Sequence, residues 1–131
     1  MYSFVKAIKA LSEETRIRIL YLLAERECCV CEVVQAMEIS QTRASRNLMM
    51  LYDAGFLKLR KEGLWSLYSL EKESLPEYMR KLVEAVESAL VQNKTAALDK
   101  KRLKKAERVG PRCLNKSGDL SDDATPLCSK N

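Results

Sequence analysis

Met37-Glu38-Ile39-Ser40-Gln41-Thr42-Arg43-Ala44-Ser45-Arg46-Asn47-Leu48 is the stretch on which the fold of this 131-residue chain turns. Ser40 has the side chain of a helix N-cap. From it the spacing predicts a helix over 41–54, with Ala44, Leu48, Leu51 and Tyr52 on its apolar side and Gly55 as its stop. The first two turns are crowded with polar groups. Before Ser40 there is room only for a tight turn, and before that turn Val33, Val34 and Met37 mark a short helix over about 31–37. Two helices joined so briefly predict a helix-turn-helix.

In that arrangement the second helix enters the major groove and its N-terminal residues meet base edges. Ser40, Gln41, Thr42, Arg43, Ser45, Arg46 and Asn47 are therefore the candidate contacts to double-stranded DNA. Arg forks to guanine, Gln to adenine, and Ser or Thr reaches phosphate or base. A polar front is also what a solvated helix face looks like; the elements around it favour the groove.

Downstream, 56–61 and 65–70 alternate in character around Glu62-Gly63-Leu64, which predicts a β-hairpin. Its basic residues Arg60 and Lys61 suit the DNA backbone beside the groove. Ser74-Leu75-Pro76-Glu77 has the form of a capping box with proline in the first turn. The long helix that follows carries Met79, Leu82, Val83, Val86 and Leu90 as a stripe. Its pattern thins after Asn93 into a basic stretch, read as an extension of the same helix over 94–109, and 110–131 reads as a disordered tail. Upstream, Phe4, Ala7, Ile8 and Leu11 share one helix face. Ser12 is placed to cap a second helix running to about Glu25, with Ile17, Leu20, Tyr21 and Ala24 inward.

The net charge of +5 is unevenly spread. Residues 1–93 balance at 13 basic and 13 acidic side chains, and 94–108 hold seven basic against two acidic. Any DNA face before residue 94 is thus a local patch, and the basic run at 100–105 is either a solvated helix end or a phosphate-contacting tail. No apolar run approaches a membrane span and no leader is evident, so the expectation is a cytoplasmic protein without a membrane partner.

The five cysteines are Cys28, Cys29, Cys31, Cys113 and Cys128, and the chain has no histidine. Three thiols within four positions suit soft, thiophilic ions. Trivalent arsenic and antimony take three sulfurs, whereas zinc usually wants four ligands. On a regular helix Cys28 and Cys31 lie near one another; in an extended stretch Cys29 and Cys31 share a side. No ideal conformation converges all three. Either the helix start distorts around Cys28, Cys29 and Cys31, or Cys113 or Cys128 supplies a third thiolate. A thiol redox or persulfide switch is a competing use of the same cluster. A thiol reductase is disfavoured by the missing histidine base and the missing Cys-x-x-Cys pair, and a winged protein-interaction module without an operator is a further alternative.

The combination Ala10-Leu11-Ser12-Glu13-Glu14-Thr15-Arg16-Ile17-Arg18-Ile19-Leu20, Cys29-Val30-Cys31-Glu32-Val33, Ser40 through Leu48, Ala54-Gly55-Phe56-Leu57 and Arg60 through Tyr68 resembles the ArsR/SmtB family of metalloregulatory repressors over about residues 4–92. The resemblance implies a mainly α (α+β) fold: a winged helix-turn-helix domain over 1–93 with a two-stranded wing and a long C-terminal dimerisation helix. It implies a homodimer built on Phe4, Ile8, Leu11, Met79, Leu82, Val83, Val86 and Leu90. The Cys-Val-Cys signature resembles the arsenic-responsive branch, with Cys29 and Cys31 as ligands and arsenite, and by extension antimonite, as inducer without an organic cofactor. That branch often has a third cysteine where this chain has Val34 and a histidine where it has Asn47. Cys28 is the expected third ligand and a tail cysteine the alternative. The family's histidine- and carboxylate-based site on the last helix is not expected here.

Overall fold

The computed structural model describes residues 1–109. Its elements run α1 (Tyr2–Ala10), α2 (Glu14–Leu23), β1 (Cys28–Cys29), α3 (Val30–Met37), α4 (Gln41–Asp53), β2 (Lys58–Glu62), β3 (Trp65–Ser69), a single 3₁₀ turn (Lys72–Ser74), α5 (Glu77–Leu90) and α6 (Lys94–Lys105). The helices enclose a core of Ile19, Leu20, Leu22, Leu48, Leu51, Phe56 and Val83, with Tyr68 of β3 closing one side. Among the described residues no helix is long and apolar enough to cross a membrane.

The helix-turn-helix forms as the spacing predicts. Glu38 ends α3 in the left-handed conformation (φ 55°), which turns the chain sharply enough for Ser40 to start α4. Ser40 Oγ accepts the Arg43 amide at 3.1 Å, satisfying one of the unpaired donors of the first turn. At the other end, the Gly55 amide donates to the Tyr52 carbonyl and the Phe56 amide to Leu51. This pair of reversed bonds requires the positive φ of Gly55, 97°, and delivers Phe56 into the core. Gly55→Ala is expected to lower stability by about 1–2 kcal/mol, because alanine resists that conformation. Urea unfolding of the two proteins measures it.

The expected two-stranded wing forms, and a third strand joins it. The sheet has three antiparallel strands in the order β1-β3-β2, with Cys28 opposite Tyr68 and Cys29 opposite Leu67. Two residues are too short to show alternation, so β1 is hidden in the sequence. The hairpin itself pairs Glu62 with Trp65 across Gly63-Leu64, and Gly63 supplies the positive φ of 61°.

Three local expectations are corrected. Glu13, not Ser12, caps α2, accepting the Arg16 amide; Ser12 bonds back to the Lys9 carbonyl. The capping box at Ser74 does not form: Ser74 Oγ donates to the Glu71 carbonyl, and Pro76 stands at the N-cap of α5. The basic segment is not an extension of α5. The chain turns at 91–93, and Asn93 Oδ1 accepts the Ala96 amide to start α6 as a separate helix. Buried Ala96, Asp99 and Leu103 follow the i, i+3, i+7 rule and face α2 and α3. The buried Asp99 receives both Arg18 Nε and an Arg18 terminal nitrogen at 2.8 Å, which locks α6 to α2. Lys100 reaches Glu25 at 3.0 Å and lies 4.2 Å from the Tyr21 ring centroid. Of the seven basic residues of this segment, Lys100, Arg102 and Arg108 are paired with carboxylates of this same chain. The expected tail, with Cys113 and Cys128, lies outside the described residues.

Candidate cysteine site and nucleic-acid interface

The sheet decides which cysteines meet. Successive residues of a strand face opposite sides, so Cys28 turns into the main core while Cys29 turns with Leu67 into a second buried cluster on the other face. The chain then enters α3, with Cys29 as its N-cap (ψ 171°), and Cys31 swings back to the Cys29 side. The Cys29 and Cys31 sulfurs are in contact as a disulfide, with Cα atoms 5.5 Å apart. Both residues are almost wholly buried, under Leu67, Trp65, Val30, Val34 and Val109.

Cys28, the expected third ligand, is not part of this pair. It is fully buried on the other face, where its Sγ lies 3.4 Å from the Arg26 carbonyl oxygen. Burial, with the nearby Glu32 carboxylate, pushes its thiol up to about 12. Among the described residues no three Cys, Asp or Glu side chains converge as a metal site. The soft donor set fits a thiophilic ligand, and the described residues bring two of its three sulfurs together.

Glu32, one residue after Cys31 in the chain, is a further site residue. It is buried, accepting the Cys29 amide on Oε1 at 2.8 Å and Arg26 on Oε2 at 2.8 Å. Arg108, 76 positions further on, reaches Oε1 at 3.2 Å. Residues 106–109 continue past α6 as a strap across α3. The Gln35 side chain donates to the Glu107 carbonyl at 2.7 Å and accepts the Glu107 amide at 3.0 Å. The Val109 amide donates to Cys31 Sγ at 3.5 Å, and Trp65 Nε1 donates to the Val109 carbonyl at 2.7 Å. The strap closes over the sulfurs.

On α4, Thr42, Arg43 and Arg46 are exposed, with Gln41 and Ser45 half-buried beside them. Arg46 has no ion-pair partner among the described residues, so its guanidinium is available at the front of the helix. Arg43 is partly engaged, donating to the buried Thr15 hydroxyl at 2.6 Å. Asn47, expected among the DNA contacts, is turned inward. It accepts from Arg16 at 2.9 Å and donates to the Arg43 carbonyl, pinning α4 against α2. On the hairpin, Arg60 forks onto Glu27 at 2.8 and 3.0 Å and touches Glu62, while Lys61 reaches Ser66. The expected free basic tip is thus partly neutralised, and the same fork holds the Glu27 carboxyl below its usual range.

The candidate dimer residues also divide. Phe4 and Ile8 are exposed on α1, with Phe4 edge-on to Tyr78 of α5. Leu11, Leu82 and Leu90 are half-buried, whereas Met79, Val83 and Val86 are covered by the chain's own core. The latter three are core residues, because α2 packs against α5 there.

A helix-turn-helix with a polar-fronted second helix and a hairpin wing defines a winged-helix DNA-binding protein. The family model "Bacterial regulatory protein, arsR family" matches residues 13–59, from the cap of α2 into β2. The arsenical resistance operon repressor of Escherichia coli K12 is 37% identical over 81 residues, covering 61% of this chain and 68% of the repressor. A CadC homolog of Staphylococcus aureus, a cadmium resistance transcriptional regulatory protein, is 43% identical over 77 residues, 58% of this chain. The chain spans 64% of that relative's length, a little under two thirds. The solution structure of a homodimeric winged helix-turn-helix domain of Mb0332 from Mycobacterium bovis, a possible ArsR-family regulator, superposes with a TM-score of 0.57. It is 28% identical, and the match covers 70% of this chain and 82% of that one. The chain belongs to the arsR family of bacterial regulatory proteins.

Proposed function

We propose that this chain is a cytoplasmic transcriptional repressor that binds operator DNA as a homodimer and releases it when trivalent arsenic, or antimony, binds Cys29 and Cys31. One observation carries the reading. The only two sulfurs that meet among the described residues do so where β1 of the wing sheet becomes α3 of the helix-turn-helix. A ligand there acts on both DNA-facing elements at once. Two relatives named for arsenical and cadmium resistance support a thiophilic inducer.

The exposed apolar side of α1, with Phe4, Val5 and Ile8, and the half-buried Leu82 and Leu90 of α5 form the dimer contact. The two α4 helices then read half-sites about one turn of DNA apart. Gln41, Thr42, Arg43, Ser45 and Arg46 make the groove contacts, and Lys61 contacts the flanking backbone. Ligand binding needs the pair reduced, and each sulfur–arsenic bond releases one water formed from a thiol proton and an arsenic-bound hydroxyl. The three-legged site draws Cys29 and Cys31 into a geometry that strains the β1–α3 junction, and the DNA-competent arrangement loses population. A coupling of about 1–3 kcal/mol is typical of such switches.

The test is anisotropy of labelled upstream promoter DNA bound to reduced protein, titrated with arsenite, with zinc, cadmium and a hydroperoxide in parallel. Arsenite is expected to release the DNA. Cys29→Ser/Cys31→Ser is expected to bind DNA normally and ignore arsenite; release of that variant by arsenite rules out the site. A second reading rests on the sulfur contact itself. Oxidation of the dithiol by a hydroperoxide would form the Cys29–Cys31 bond, with one alcohol and one water as by-products. Release by the hydroperoxide alone, reversed by a thiol reductant, favours it.

A further inference from the structure

We infer that residues 106–109 are a lid on the Cys29–Cys31 pair, held shut by Gln35 and Trp65 as positioning residues, and that any reagent reaching the pair enters when this lid lifts. Cys29 is 2% exposed and Cys31 1%. Leu67 and Trp65 of β3 and Val30 and Val34 of α3 wall the two sulfurs, and Val109 completes the enclosure. Of these five residues only Val109 belongs to no helix or strand. Moving any other wall disrupts the β1–β3 ladder or the helix-turn-helix, whereas moving Val109 disturbs neither.

The way the strap is held supports the same reading. The Ala106 amide still donates to the Leu103 carbonyl at the end of α6. Beyond it the chain is held by side chains. Gln35 donates to the Glu107 carbonyl at 2.7 Å and accepts its amide at 3.0 Å, Glu32 accepts Arg108 at 3.2 Å, and Trp65 Nε1 donates to the Val109 carbonyl at 2.7 Å. Backbone held this way opens at a lower free energy than a core ladder or helix. The Val109 amide lies 3.5 Å from Cys31 Sγ and its carbonyl oxygen 3.9 Å, so the strap stands where an incoming atom would approach that sulfur. Where lid motion is fast against the chemistry, the reaction rate follows the open fraction. Each hydrogen bond removed raises that fraction about fivefold. Cys28, buried on the core face of the sheet, gains nothing when the lid lifts, and so separates lid opening from unfolding of the domain.

The experiment uses the reduced full chain and iodoacetamide. Each sulfur that reacts forms an S–C bond, releases iodide and gives its thiol proton to the buffer. Fragmentation mass spectrometry assigns the label to Cys28, Cys29 or Cys31. Trp65→Phe keeps an aromatic ring and loses the indole N–H; it is expected to speed labelling of Cys29 and Cys31 about fivefold. Gln35→Ala loses both bonds to Glu107 and is expected to speed it about thirtyfold. Cys28 keeps its wild-type rate in both variants. Unchanged rates at Cys29 and Cys31 in both variants overturn the lid. Acceleration of Cys28 in step with them also overturns it, because the opening is then that of the whole domain. Wild-type Cys29 and Cys31 labelled as fast as in the urea-unfolded chain would likewise mean that no lid exists. Iodoacetamide is neither metalloid nor oxidant, so the outcome stands apart from the choice between the two readings above.

Discussion

Asp99→Ala is expected to cost about 3 kcal/mol of stability, a fall in Tm of roughly 10–20 °C for a domain of this size. The Asp99 carboxylate is buried, and both its oxygens receive the Arg18 guanidinium at 2.8 Å. Arg102 adds a longer contact at 3.7 Å. Truncation leaves the mostly buried Arg18 without its acceptor, which is why breaking such a pair costs more than the pair contributes. Replacing both partners together with leucine should recover much of the loss, since a packed apolar pair of similar volume is often neutral. Urea unfolding of the single and double variants gives the comparison. A single-variant loss under about 1 kcal/mol would mean that α6 is held by Leu103 and Ala96 alone.

Glu32→Ala is the second large effect. It removes the acceptor for the Cys29 amide and the common partner of Arg26 and Arg108. A loss of about 2–4 kcal/mol is expected, from one buried unsatisfied amide and two guanidiniums left without their carboxylate. Glu32→Gln keeps an oxygen for the Cys29 amide and should cost less. The two variants separate the roles of Glu32, because only the charge holds the strap. Both should speed tryptic cleavage at Lys104 and Lys105, whereas only Glu32→Ala should loosen the start of α3. Hydrogen exchange at the α3 amides reads the second effect. Unchanged cleavage in both would show that Gln35 and Trp65 suffice to seat residues 106–109.

Much of this architecture was legible because it is written in local patterns. The apolar spacing of α2 and α4, the Ser40 cap, the Gly55 stop and the hairpin around Gly63 all lie within windows of a few turns. What escaped depends on partners far along the chain. Arg18 and Asp99 are 81 positions apart, and Glu32 and Arg108 are 76 apart. A buried carboxylate looks like a surface charge until its arginine is known. The two-residue β1 is invisible to any periodicity, and with it went the knowledge that Cys28 and Cys29 face opposite ways. In α6 the basic residues masked a three-residue apolar-facing set, Ala96, Asp99 and Leu103, whose middle member is charged. Asn47 was misread because its neighbours on α4 do point outward; its inward turn follows from Arg16, on another helix.

The place of Cys29 in the wing sheet bears on how far a small movement travels. Leu67, its partner on β3, stands two residues from Trp65, where the hairpin turns through Gly63-Leu64. At about 3.3 Å per residue, the tip lies on the order of 10 Å from the Cys29–Leu67 rung. A strand pair is stiff along its length, so β3 behaves as a lever arm with its short end at the sulfur. A tilt of a few degrees imposed at Cys29 becomes a displacement at Leu64, the exposed end of that arm, with no intervening hinge to absorb it.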